Sequence, residues 1–207
     1  MPKQTFFNLT AAKQQRVIDA AMEEFAAHPY LKTSINRIIE RADISKGSFY
    51  QYFKNKKDLY KYLIDLVTER KMEFLSQKIE DYQKQDFFPL LRKLFIAGIQ
   101  FRNKYPLISA IGDRLLNGEN ETLKNEIYAE SKPKSNEFFE ELLEVAVSRG
   151  EVDPEIDIKF TAFMLTEFSI SIVNYFFEHS DSDNLDQIMD YVDKMIYIMK
   201  NGIAEGE

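Results

Sequence analysis

The chain has 207 residues, 44% of them hydrophobic, with a formal net charge of −7, no cysteine and only two histidines, His28 and His179. That apolar content suits a globular core and excludes a disordered chain, and the absence of thiols excludes a disulfide framework, a zinc–thiolate site and a cysteine nucleophile. No apolar run reaches the roughly 18–20 residues of a membrane span, and MPKQTFF lacks a signal-peptide core, so a cytoplasmic protein without membrane contact is expected.

Thr10 caps a predicted helix from Ala11 to about Ala27, with Val17, Ile18, Ala21, Met22 and Phe25 as its apolar stripe. Pro29 ends it. Thr33 or Ser34 caps a short helix marked by Ile35, Ile38, Ile39 and Ala42, and Asp43-Ile44 breaks the run. Ser45 caps a second short helix from Lys46 to Tyr52. Two short helices joined by a few turn residues make a helix-turn-helix. A long helix then starts near Lys56 and runs to about Tyr82, with no Gly or Pro to interrupt it.

The remainder also reads as helix. Asp86 to Lys104 carries Pro89 in its first turn, and Leu107 to Leu116 ends at Asn117-Gly118. Glu121 to about Ser148 contains Pro133, a place for a bend, and closes at Gly150. Asp157 to Glu178 is the most apolar segment. A polar loop, HSDSDN, leads to Leu185–Asn201, which Gly202 stops before a frayed AEGE end. The fold class is all-α: a helix-turn-helix domain at residues 1–56 and a helical ligand-binding and dimerisation domain at 57–207.

The charge is divided along the chain. Residues 1–57 hold ten Lys or Arg against five Asp or Glu, or +5, and residues 58–207 hold 17 against 29, or −12. This asymmetry suits a small DNA-binding head on a body that DNA repels. Within the second short helix, Lys46, Ser48, Tyr50, Gln51 and Tyr52 can hydrogen-bond to phosphates or base edges, and Gly47 removes a side chain where a DNA backbone could come close. Phe49 and Phe53, four apart, anchor the helix. Lys54, Lys56 and Lys57 follow at the start of the next helix, where free N–H groups already favour an anion.

The run ISKGSFYQYFKNKKDLY resembles the DNA-binding signature of TetR-family transcriptional regulators: a Ser-Lys-Gly turn and helix, a Tyr-x-(His or Tyr)-Phe run, Lys-x-Lys and an acidic-Leu pair. The likeness covers Val17 to Tyr60. It departs at Asp43, where glycine is common, and at His28-Pro29, where a glycine is expected between the first two helices. The resemblance implies phosphate contacts from Tyr50, Lys56 and Thr33. With the readings above, the candidate DNA-binding set is Thr33, Ser34, Ser45, Lys46, Gly47, Ser48, Tyr50, Gln51, Tyr52, Lys54 and Lys56. Tyr50→Ala or Lys56→Ala is expected to weaken operator binding and leave dimer and melting largely intact.

The segment 157–178 is apolar nearly all round, so one monomer core cannot bury it. Together with 185–201 it is expected to form a four-helix homodimer interface, matching the two-fold symmetry of a helix-turn-helix on two half-sites. Glu167, Ser171 and Asn174 share a face of the first segment, read as a wet seam or solvent side in preference to a ligand contact. Phe95, Phe101, Tyr105, Phe139, Phe163, Glu167 and Phe168 are the candidate ligand-binding residues, aromatics otherwise explained by packing. Arg102 and Arg114 are candidates to face an anionic ligand. No Gly-rich phosphate loop, nucleophile elbow or metal-ligand spacing occurs, so no catalytic residue, metal or cofactor is assigned. The expected function is a repressor that binds a palindromic double-stranded DNA operator as a homodimer and is released by a small, largely apolar inducer. The alternatives are a helical small-molecule binding protein without DNA-binding activity and an enzyme on a helical scaffold.

Overall fold

Short polar side chains start five of the helices by accepting a free first-turn N–H. Ser34 Oγ accepts from Arg37 at 3.4 Å, Ser45 Oγ from Ser48 at 3.0 Å and Asn55 Oδ1 from Asp58 at 2.9 Å. Asn120 Oδ1 accepts from Leu123 at 3.0 Å, and Asp157 Oδ1 from Phe160 at 3.0 Å. Asp58 also reaches back to accept from the Lys54 N–H at 3.0 Å, so the start of the long helix is closed from both sides. Thr10 precedes its helix, but its hydroxyl makes no cap bond.

The computed structural model describes residues 1–79, 81, 84–116, 118, 120–179 and 185–202, the side chains of 128–134, 174, 177, 178, 185 and 186 apart. Among them are ten α-helices: α1 Gln4–Phe7, α2 Ala11–Ala27, α3 Ile35–Ala42, α4 Lys46–Tyr52, α5 Lys56–Lys78, α6 Phe87–Lys104, α7 Pro106–Leu116, α8 Glu121–Ser148, α9 Ile158–His179 and α10 Leu185–Asn201. A 3-10 turn at Tyr30–Lys32 follows Pro29. The described residues contain no strand, and none of their helices is long and apolar enough to cross a membrane. Most expected boundaries hold to within a residue or two, α5 stops at Lys78 where the expectation ran to about Tyr82, and α1 is an addition. The expected turn at Asn117, the loop at 180–184, the AEGE end, Tyr82 and the side chains of Pro133, Asn174 and Phe177 lie outside the described residues.

Two helix ends show why sequence order stops them. Asp43 takes the left-handed conformation (φ 52°), and the Ile44 N–H bonds to the Ile39 carbonyl at 3.1 Å. Gly150 (φ 71°) does the same for α8, with Glu151 N–H on Ala146 at 3.0 Å. Asp tolerates this geometry at some cost, which glycine does not incur.

The chain forms two compact units, Met1–Met72 with Phe101–Ser131, and Glu73–Gln100 with Lys132–Glu207. They cut the chain elsewhere than between residues 56 and 57. In the first unit α2 packs on both α3 and α7, over a core including Val17, Phe25, Ile38, Phe49, Phe53, Leu59, Leu63 and Ile111. Arg114 on α7 donates to the carbonyls of Ala26 and Ala27, the unclosed C-terminal end of α2. Lys57 and Lys61 on α5 both pair with Glu126 on α8. In the second unit α9 packs on α10, and Ile99, Phe176 and Ile188 form a small core with Ile172, Met189 and Tyr191 against it.

Glu24 joins α2 to the start of α3. Its side chain is 1% exposed, and its oxygens accept from the Ser34 N–H at 2.9 Å and from Arg37 Nε at 2.9 Å to each oxygen, with Arg37 Nη2 also bonded. Burial opposes its ionisation most strongly, but the Arg37 hydrogen bonds, the Ser34 N–H and the Arg37 and His28 charges outweigh it and hold the carboxyl below its ordinary pKa. A carboxyl lowered by folding adds stability above its unfolded pKa and loses it as pH falls through the folded value. Glu24→Gln should therefore cost about 1.5–3 kcal/mol at neutral pH in urea unfolding. The difference from the parent should shrink on acidification below the ordinary carboxylate range.

Candidate nucleic-acid interface

The turn between α3 and α4, α4 itself and the start of α5 carry most of the candidate DNA-facing residues. Ser45, Lys46, Gly47, Gln51 and Lys54 are exposed, and Tyr50 is 42% exposed with its ring edge-on to Phe49 at 5.2 Å. Phe49, fully buried, turns the opposite side of α4 into the core. Ser48 is half-buried, with its hydroxyl 2.9 Å from that of Ser45. The exposed edge is thus cationic and rich in donors, suited to phosphates and base edges.

Four of the expected contact residues have partners within the chain. Thr33 is 5% exposed, and its hydroxyl donates to the carbonyls of His28 at 3.3 Å and Pro29 at 3.2 Å. Tyr52 is 5% exposed and lies 6.1 Å from the Phe6 ring. Lys56 Nζ donates to the carbonyls of Tyr30 at 2.6 Å and Thr33 at 3.0 Å and lies 4.5 Å from the Tyr30 ring centre. Burial holds its ammonium below the ordinary lysine pKa, against the pull of Glu24. Ser34 is half-buried, and its hydroxyl is the cap of α3.

Gly47 shows what the chain alone does not require. A Cβ built there meets only Ser45 Oγ, at 3.8 Å, and the backbone needs no left-handed conformation. Neither packing nor φ calls for glycine, which costs helix stability relative to alanine.

The candidate ligand residues divide between the units. In the first, Phe101 is buried with its ring 5.0 Å from that of Tyr105, which is half-buried. In the second, Phe95 and Phe139 are buried, Phe168 and Glu167 are half-buried, and Phe163 is 37% exposed with its ring 6.3 Å from that of Phe160. Ser171 is exposed. Neither arginine flagged for an anion is uncommitted: Arg102 makes a two-pronged pair with Asp113 (2.8 and 2.7 Å), and Arg114 holds α2. A cavity of about 430 Å³ in the second unit is lined by Arg92, Ile96, Ile99, Gln100, Met189, Asp190 and Asp193, none of which the sequence reading had picked. Thr166, whose buried hydroxyl has no hydrogen-bond partner among the described residues, and Lys71 also stand outside the sequence candidates. Desolvation of its amine holds the Lys71 ammonium below its ordinary pKa, opposed by Asp113 and reinforced by Arg102, although the residue as a whole is exposed. A lone threonine or lysine on a helix carries no sequence signal for either role.

Two substitutions separate packing from DNA contact. Gly47→Ala should raise the stability of the protein by up to about 1 kcal/mol, as read by thermal melting, and at the same time weaken operator binding. Lys56→Ala should lower stability by about 1–2 kcal/mol through the lost carbonyl bonds, so the expectation that melting stays intact is revised for this residue while it stands for Tyr50.

Residues 17–63 match the family described as bacterial regulatory proteins, tetR family. A TetR family transcriptional regulator from Chloroflexus aurantiacus is 34% identical, with 98% of each chain covered and a TM-score of 0.66. A protein of Escherichia coli (strain K12), named "Probable acrEF/envCD operon repressor", is 24% identical over 187 residues, 88% of this chain and 84% of its own. FadR of Bacillus subtilis, a transcriptional regulator solved in complex with stearoyl-CoA, superposes with a TM-score of 0.71 at 20% identity, covering 92% of this chain and 99% of its own. The helix-turn-helix geometry, the family match across it and the full-length likeness to the Chloroflexus regulator together place this chain in the TetR family of transcriptional regulators, a family of DNA-binding proteins and not of enzymes.

Proposed function

We propose that the protein is a homodimeric repressor acting on cytoplasmic DNA. Its head, residues 1–56, reads one half of a palindromic operator, and residues 57–207 dimerise and hold an inducer. The observation that carries the DNA reading is the exposed edge of α4, where Lys46, Tyr50 and Gln51 surround a glycine that the chain's own packing does not demand. The +5 charge of residues 1–57 supplies attraction to phosphate whatever the sequence.

Exposed apolar groups on the last two helices support the dimer. Phe160, Phe163 and Tyr175 on α9 are 57%, 37% and 49% exposed, and Tyr197 and Ile198 on α10 are 65% and 49% exposed. Large apolar side chains on two adjacent helices favour a covered interface. The inducer is a small, largely apolar molecule. The stearoyl-CoA held by the Bacillus relative makes a long-chain acyl thioester the first compound to try. Release follows from population shift: an inducer that binds unequally to the two states moves the two heads off the operator spacing, about 34–36 Å or a multiple of it.

Selection of duplexes from a random pool by the purified protein tests this reading. A palindrome with two half-sites is expected, bound by a dimer and released by a long-chain acyl thioester or a small, largely apolar compound. Recovery of no sequence, with binding that stays weak as salt falls, would favour a helical small-molecule binding protein that does not use DNA.

A further inference from the structure

The last four carbonyls of α4 have no partner inside a seven-residue helix, and the helix that would enter the groove is too short to hold its own end. The structure accounts for all four. Phe49 accepts from the Phe53 N–H at 2.8 Å. The other three donors come from the first five residues of the chain. Lys3 Nζ donates to the Tyr50 carbonyl at 2.8 Å, Thr5 Oγ1 to that of Gln51, and the Lys3 N–H to that of Tyr52 at 2.8 Å. Phe6 fastens this segment: it is fully buried, 5.0 Å from the Phe53 ring and 5.6 Å from that of Tyr62. The Lys3 ammonium also sits at the negative end of the α4 dipole.

We propose that residues 3–6 are a built-in C-cap for the recognition helix, and that Lys3 and Thr5 are positioning residues for operator reading although neither touches DNA. Tyr50 and Gln51 are the two residues whose side chains face outward from α4 and whose carbonyls the segment holds. Fraying of that turn would swing both side chains off their targets. The inference rests on the proposed DNA reading for its effect on binding, but the capping itself is measurable without DNA.

Three variants decide it: Lys3→Met, which keeps the stem and removes the charge, Thr5→Val, which removes the hydroxyl at constant shape, and Lys3→Arg, which restores a cationic donor. Amide hydrogen exchange of the free protein should be faster at Tyr50, Gln51 and Tyr52 in Lys3→Met and Thr5→Val, and near the parent rate in Lys3→Arg. Operator affinity should fall roughly three- to tenfold in each of the first two, the effect of losing one hydrogen bond that orders the reading turn, and recover in the arginine variant. The slope of log affinity against log salt should stay at the parent value. A slope reduced by about 0.9 for each Lys3 removed would make Lys3 a phosphate contact and overturn the proposal. Parent-like exchange in Lys3→Met and Thr5→Val would overturn it whatever DNA does. If the parent protein itself binds no operator, the DNA reading fails and the exchange result still stands on its own.

Discussion

A carboxylate that is 1% exposed cannot stay ionised without partners, and Glu24 has them only when α3 starts where it does. The Ser34 N–H and the Arg37 guanidinium, both on or beside the first turn of α3, converge on it, and Arg37 also donates to the Lys32 carbonyl at 2.9 Å. That geometry fixes α3 against α2. Asp43 and Ser45 then leave α4 one direction in which to leave the turn. The position of α4 thus depends on an ion pair between the buried Glu24 carboxylate of α2 and the exposed Arg37 guanidinium of α3. Breaking such a pair from one side is costly, because the remaining group must be desolvated unpaired.

The head is not an isolated module. α2 packs on α7 as well as on α3, and Arg114 closes the end of α2 from the α7 side. Lys57 and Lys61 tie the start of α5 to Glu126 on α8. Residues far along the chain therefore belong to the same compact unit as the exposed edge of α4. A displacement of α7 has a short path to α2, one guanidinium long, and from α2 through Glu24 to α3.

Most of the fold was legible because helix ends here are written in side-chain chemistry: Ser34 and Ser45 as caps, and Asp43 and Gly150 as stops. The exposure of the candidate DNA-facing residues was legible only in part. Tyr52 lies three residues after Phe49 and shares its inward face, so a residue that looks polar by type is core by position. Thr33 and Lys56 turn to backbone carbonyls, which have no sequence signature. The cap from Lys3 and Thr5 was invisible for the same reason, its partners lying some 46 to 49 residues away. The ligand candidates were a list of aromatics, and aromatic type does not separate a packed ring such as Phe101 from an open one such as Phe163.

The central claim is that a basic head meets DNA through the exposed edge of α4, and the salt dependence of duplex binding tests it most directly. The purified protein should bind genomic DNA fragments with an affinity that falls steeply and linearly in log–log form as salt rises, by about 0.9 in slope for each phosphate neutralised. Three contacts from each of two heads would give a slope near −5 by the same relation. Affinity that is weak at low salt and indifferent to its increase would contradict the account.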